Sequence, residues 1–221
     1  MPRMTLGAAF LAVLVTLGAL ALPRGLADLR GFEARMLFKS WQAGRHQPSL
    51  EEWSHAHDLL REARALDPGQ PNYLEDLARL YERRALPLKA GNDDARADLR
   101  QALDYQRQAA RIRPGSPYTW ANIALLKARL SEPDREFETA LRNAALLGPW
   151  EPEVQLALAD AGFQYWPALA PETQAALRAN ALRALRRQDA KLFELARRTG
   201  RLDILCAVRG VERSRLARAC I

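Results

Sequence analysis

Three histidines, two cysteines and a run of arginines are the side chains through which this chain would do chemistry, and their spacing narrows what that chemistry is. His46, His55 and His57 lie close together in sequence. On a helix His55 and His57 are two positions apart and point in different directions, which is poor geometry for a shared metal ion. They read as surface or capping residues, and no metal site is expected. Cys206 and Cys220 flank Gly210 near the end. In an oxidising compartment they would form a disulfide closing a loop worth about 3 kcal/mol in the chain-entropy account; otherwise they are two reduced core cysteines. There is no CxxC pair, no serine in a nucleophile elbow and no glycine-rich phosphate loop. Acids mostly alternate with arginines, the pattern of a solvated helix face. Neither an enzyme nor a cofactor is expected.

The charge is uneven. Between Arg178 and Arg218 stand 12 basic residues against four acidic ones, a net of +8, while the whole chain is +7. Arg183, Arg186, Arg187, Arg197 and Arg198 are the expected basic patch. Such a surface could meet an acidic glycan or anionic lipid headgroups, or be solvated without a ligand. No aromatic-interleaved nucleic-acid reader accompanies it, so no nucleic-acid partner is expected. Arginine outnumbers lysine 29 to four, a bias that genome composition produces as readily as a ligand does.

The only continuous apolar run is Thr5–Leu22, uncharged between Arg3 and Arg24. As a helix it would rise about 27 Å, just enough to cross a hydrocarbon core of about 30 Å. A signal peptide would have a shorter apolar core, although Ala19-Leu20-Ala21 has the small-x-small form that precedes cleavage. A buried helix of a soluble fold is the third reading, and a retained anchor is the expectation. Arg24, Arg30, Arg35 and Lys39 follow the span and by the positive-inside rule argue for a cytoplasmic body. A short tail before a first span, with cysteines behind it, argues for an exported one. The expectation is a single-pass inner-membrane protein with a periplasmic body.

Beyond the span, strand formers never gather into alternating runs, so an all-α body is expected. Its clearest regularity is a recurring helix end. REARALDPG, RQAARIRPG and RNAALLGPW reach Pro68, Pro114 and Pro149, each with an alanine five residues earlier: Ala63, Ala109 and Ala144. A new apolar-periodic helix follows each, because proline cannot continue the hydrogen-bond ladder. The intervals are 46 and 35 residues. Ser49 with Glu52 predicts a capping box, Ser116-Pro117 an N-cap followed by N1, and Ser131 with Asp134 another helix start. Leu86 to Asp93 is a breaker cluster, read as a loop over a groove or a plain surface insertion. From Pro171 a long helix is expected to Arg187, followed by shorter ones near 190–199, 202–208 and 212–220.

On one helical face fall Leu74, Leu77, Ala78 and Tyr81, and then, at the same offsets, Trp120, Ile123, Ala124 and Lys127. With Ala102, Ala109, Pro114 and Pro149, these positions resemble the tetratricopeptide repeat over residues 37–164; Gln47 and Lys127 depart from it where an aromatic is expected. The resemblance implies a short helical solenoid with a groove lined by first helices. Arg79, Arg83, Tyr118, Asn122 and Asp160 would face that groove and grip an extended protein segment. The implied organisation is an anchor over 1–23, repeats over 24–164 and an irregular basic helical cap over 165–221.

The stretches YTWANIALLKARL and GPWEPEVQL, in that order, resemble the VpsP-type proteins of bacterial exopolysaccharide clusters, over residues 113–206. That resemblance implies a polysaccharide assembly context and a membrane partner, and it transfers no catalytic residue.

Overall fold

A computed structural model of the 221-residue chain describes residues 2–44, 46–88 and 92–207. Among them every regular element is a helix: α1 (Pro2–Gly44), α2 (Leu50–Leu66), α3 (Pro71–Ala85), α4 (Asp93–Ile112), α5 (Pro117–Leu130), α6 (Arg135–Leu147), α7 (Pro152–Gln164), α8 (Pro171–Arg198) and α9 (Leu202–Cys206), with a 3-10 turn at Trp166–Ala168. Consecutive helices pack as pairs, α1 on α2, α3 on α4, α5 on α6 and α7 on α8. α4 also contacts α5, α5 contacts α7, and α6 contacts α8.

Three of the connections are one corner built three times. The helix ends when Asp67, Arg113 or Gly148 donates its N–H to Ala63, Ala109 or Ala144 at 3.0, 2.9 and 3.0 Å. These cap residues share one backbone conformation, neither helical nor fully extended, with φ of −137°, −130° and −126° and ψ of 80°, 75° and 52°. Pro68, Pro114 or Pro149 follows. Three residues on, Pro71, Pro117 or Pro152 occupies the first turn of the next helix, where its missing N–H costs nothing. The alanines are fully buried, because a larger side chain there would hold the neighbouring helix away. The Ser49–Glu52 capping box and the Ser116 cap form as expected. Ser131 does something else: it ends α5 in the left-handed region (φ 60°), and Asp134 alone caps α6 by accepting the Phe137 N–H at 3.1 Å.

Between α3 and α4, residues 89–91 lie outside the described set, and the Asn92 side chain caps α4 by accepting from Ala95 at 2.9 Å. α8 leaves helical geometry at Gln188, close to the expected break after Arg187, and Gly200 turns the chain with φ +68°. Gly162 lets α7 and α8 meet, since a Cβ there would come within 2.3 Å of Leu177.

α1 contains the apolar run and does not stop at it. It continues through Pro23 to Gly44, and by length and composition it is the one candidate membrane-crossing helix among the described residues. Its second half is part of the body. Ala27, Ala34, Phe38 and Trp41 are buried there. Tyr73 donates to Asp28 at 2.7 Å, and Asp76 accepts from Arg35 at 3.1 Å and Arg79 at 3.2 Å. Burial raises the Asp76 carboxyl above its ordinary pKa, and the two arginines oppose that shift. Gly31 leaves room for the Tyr73 ring, which would lie 2.7 Å from an added Cβ.

Two polar clusters lock the helix pairs. Arg84 lies 3.9 Å over the Trp53 ring and donates twice to Asp98, at 2.7 and 2.5 Å, joining α2, α3 and α4. Lys127 occupies an expected aromatic position. It is buried, and its ammonium lies 3.2 Å from Glu132, 2.6 Å from Asp134 and 3.3 Å from Glu136. Glu136 also accepts two hydrogen bonds from Arg107, tying α4 to α6. Burial works against the Lys127 charge, but the hydrogen bonds to Asp134 and Glu132 outweigh it and raise its pKa. Arg107 holds Glu136 below the ordinary carboxylate value, and Lys127 lowers Asp134 despite partial burial.

The sign of the resulting pH dependence follows. Carboxyls depressed in the fold stabilise it fully above their ordinary values of 4.5 and 3.8, and that contribution is lost as pH falls through the folded values. The raised Lys127 contributes fully below 10.5 and is lost as pH rises beyond its folded value. Lys127→Met keeps the stem and removes the charge. In urea unfolding at pH 7 it should cost about 1–3 kcal/mol, and the fall in stability between about pH 5 and pH 3 should be shallower than in the parent.

Candidate functional site

Helices that bury one face leave the opposite face to solvent, and in α3, α5 and α7 those faces line an open groove of about 660 Å³. α3 presents Glu75, Arg79 and Glu82 to it, and α5 presents Tyr118, Asn122 and Leu125. Each set sits at i, i+4, i+7. α7 contributes Glu153 and Ala157, and one turn further Asp160 opens into an adjoining hollow that shares Leu125.

Most of these charges are held in place by neighbours. Glu75 accepts from Thr119 at 2.5 Å and from Arg113 at 2.9 and 3.0 Å. Arg113 in turn reaches Asn72 at 3.2 Å. Glu82 pairs with Arg129. Tyr118 donates to Glu151, and that hydrogen bond raises the phenol's pKa. Asn122 lines the same groove and makes no side-chain hydrogen bond among the described residues. The result is a polar trough of mixed sign with an apolar floor at Leu125, Val154 and Ala157. Such a surface offers hydrogen bonds to an extended backbone.

Of the five expected groove residues, Arg79, Tyr118 and Asn122 line one space. Asp160 lies next door, paired with Arg198 at 2.5 Å. Arg83 is elsewhere: it donates to the His46 carbonyl at 3.1 Å and sits 5.7 Å from the Trp41 ring, at the end of α1. Glu75, Glu82, Arg113 and Glu153 were not singled out from sequence. The i, i+4, i+7 spacing on α3 could have found the first two, but pairs across helices could not be read.

The five arginines of the expected basic patch differ in circumstance. Arg183 donates to the Pro149 carbonyl at 2.9 Å beside Trp150, and burial lowers its pKa. Arg198 is taken by Asp160. Arg186, Arg187 and Arg197 are exposed, on either side of the break at Gln188. Three aromatics lie at the ends of α6 and α7: Tyr165 donates to the Ala128 carbonyl at 2.9 Å and Trp166 is buried, whereas Trp150 is exposed.

His57 stacks on Trp53 at 5.0 Å with the Tyr81 hydroxyl 3.4 Å away, and His55 faces Glu33 at 3.6 Å. Among the described residues no group of three or more His, Cys, Asp or Glu side chains is placed to hold a metal ion. Cys206 closes α9, while Cys220, and with it the choice between a disulfide and two reduced cysteines, lies outside the described residues.

Two classes of groove residue should separate on mutation. Asn122→Ala removes a side chain that only faces the trough and should change unfolding free energy by no more than about 0.5 kcal/mol, whereas Arg79→Ala also takes a hydrogen bond from buried Asp76 and should cost about 1 kcal/mol or more. Glu75→Gln weakens the hold on Arg113 and Thr119 and should cost about 1–2 kcal/mol. Chemical denaturation of the three variants against the parent measures both.

No protein-family model matches the chain, and no curated protein matches it.

Proposed function

We propose that this protein is a non-enzymatic, membrane-anchored adaptor whose tetratricopeptide-type helical solenoid holds an extended segment of a partner protein in the α3–α5–α7 groove. The groove carries the reading: three alternate helices, the first of each pair, offer their free faces to one polar trough, with Arg79, Tyr118 and Asn122 lining it. The threefold corner and the paired helices support a repeat architecture. The sequence resemblance over 113–206 supports an envelope polysaccharide assembly system, with the partner a membrane component of that system. On this reading α1 spans the inner membrane once and the body is periplasmic. Positioning is the job, and no reaction is assigned to the chain.

A second reading is favoured by the exposed Arg186, Arg187 and Arg197: direct binding of an acidic glycan or lipid surface by α8. It requires retention on immobilised acidic polymer that falls with salt and is lost when the three arginines are neutralised.

Carbonate-washed membranes should retain the full chain, and mild-detergent purification should return a polysaccharide-assembly membrane protein. Arg79→Ala/Tyr118→Ala/Asn122→Ala should lower that recovery at least tenfold with the helical circular dichroism unchanged. Recovery of the protein in the soluble fraction, or equal capture by the triple variant, overturns the adaptor reading.

A further inference from the structure

The α3–α5–α7 groove is lined by two side-chain amides that the chain itself does not use. Asn122 on α5 is one. The other is Gln106, contributed by α4, which packs between α3 and α5. Gln106 is only 2% exposed, and its Oε1 is buried without a hydrogen-bond partner. Its Nε2 makes no hydrogen bond among the described residues either. An amide carried inside unpaired costs stability, whereas an apolar side chain of the same shape would not. The space beside Gln106 is the groove, so a partner for that amide would come from there.

The charges around the amides divide into those cancelled within the chain and those left over. Glu75 is met by Arg113, and Glu82 by Arg129. On α3, Arg79 shares the one buried carboxylate of Asp76 with Arg35, so a positive charge remains. Arg79 is the more open of the two, its side chain 60% exposed against 35%. On α7, Glu153 is exposed and has no partner among the described residues. Glu151 accepts only from the neutral Tyr118 phenol and keeps its charge. Both carboxylates act on that phenol and raise its pKa, so they stand together. What remains is a cation on the α3 edge, two anions on the α7 edge, and unpaired amides between them.

We propose that the groove selects an extended peptide segment charged at both ends, acidic against Arg79 and basic against Glu151 and Glu153, with the Gln106 amide bonded to the backbone between. The spacing follows from the helices. Packed axes lie about 8–10 Å apart, so the α3 and α7 edges, with α5 between them, are about 16–20 Å apart. An extended chain rises about 3.3 Å per residue, and about five or six residues cover that span. A peptide backbone offers both an N–H and a C=O, the two groups that Gln106 and Asn122 lack. A segment acidic throughout is attracted at one edge and repelled at the other, and a basic one meets the reverse. An acidic glycan carries no cation for the α7 edge.

The proposal rests on the adaptor reading and names the chemistry of its partner. Full-length protein in mild detergent is incubated with an array of short synthetic peptides. Each carries one acidic and one basic residue, set at every separation and in both orders, among Ala, Val, Ser and Thr. Retention should peak at a separation of about five or six residues. It should exceed that of peptides with adjacent charges, or with charges of one sign, by about fivefold or more, and fall with salt. Glu153→Arg should shift the preference to peptides acidic at both ends. Gln106→Met should lower retention of the best peptide by about fivefold while its urea midpoint equals or exceeds the parent's. A lower midpoint assigns the amide to the fold and overturns its role. Retention that ignores charge spacing, survives Glu153→Arg unaltered, or is equal in Gln106→Met overturns the proposal and leaves the adaptor reading standing. No retention by the parent at any spacing overturns both.

Discussion

The alanine carbonyl that closes a helix at each of the three repeated corners does two things at once. It takes the final N–H, so the chain leaves the helix without an orphaned donor, and its methyl-sized side chain lets the next helix lie close. The paired prolines then commit the chain to a new helix within four residues. Because Asp67, Arg113 and Gly148 adopt almost the same backbone, α3, α5 and α7 each set out from the same kind of corner. The groove depends on that repetition. Were one corner to open, the faces carrying Glu75, Tyr118 and Glu153 would no longer line one surface.

Arginine holds the pairs together once the corners have set them. Arg84 on Asp98 and Trp53, Arg107 on Glu136, Arg113 on Glu75, and Arg142 on Glu138 and Thr173 each join separate helices. A planar guanidinium makes two hydrogen bonds and stacks on a ring, which an ammonium cannot do. Glu138 also caps α8, accepting the Ala170 N–H at 3.3 Å, where that helix has no side-chain cap of its own. Much of the positive charge is therefore internal fastening, and net charge alone overstates the surface free to meet a polyanion.

What could be read from the sequence was local. Corners announced by Pro68, Pro114 and Pro149, caps at Ser49 and Ser116, and the buried stripe Leu74–Leu77–Ala78 all depend on neighbours within one helix or turn. The break in α8 was legible for the same reason. Ser131 was misread as a helix start because Ser-x-x-Asp fits a capping box, whereas the chain had first to leave α5 through the left-handed region. Lys127 stood out as an exception to an aromatic position, but its three carboxylates come from the loop and helix that follow, and no periodicity places them together. In the groove, Tyr118 and Asn122 were accessible from helix phase alone. Arg83 was not, because its direction is decided by the end of α1 and the His46 carbonyl, 37 residues away.

The unbroken course of α1 across Pro23 has a consequence for how the body is carried. A flexible tether would let the body drift and turn relative to the apolar run, whereas 43 residues of one helix make a rigid post about 65 Å long. The post fixes both a height and a compass bearing. With Ala27 and Ala34 keyed into the body, each residue inserted into α1 between the apolar run and Ala27 would shift the body by about 1.5 Å along the helix and swing it by about 100° relative to that run. The groove thus keeps one constant heading relative to the apolar half of α1.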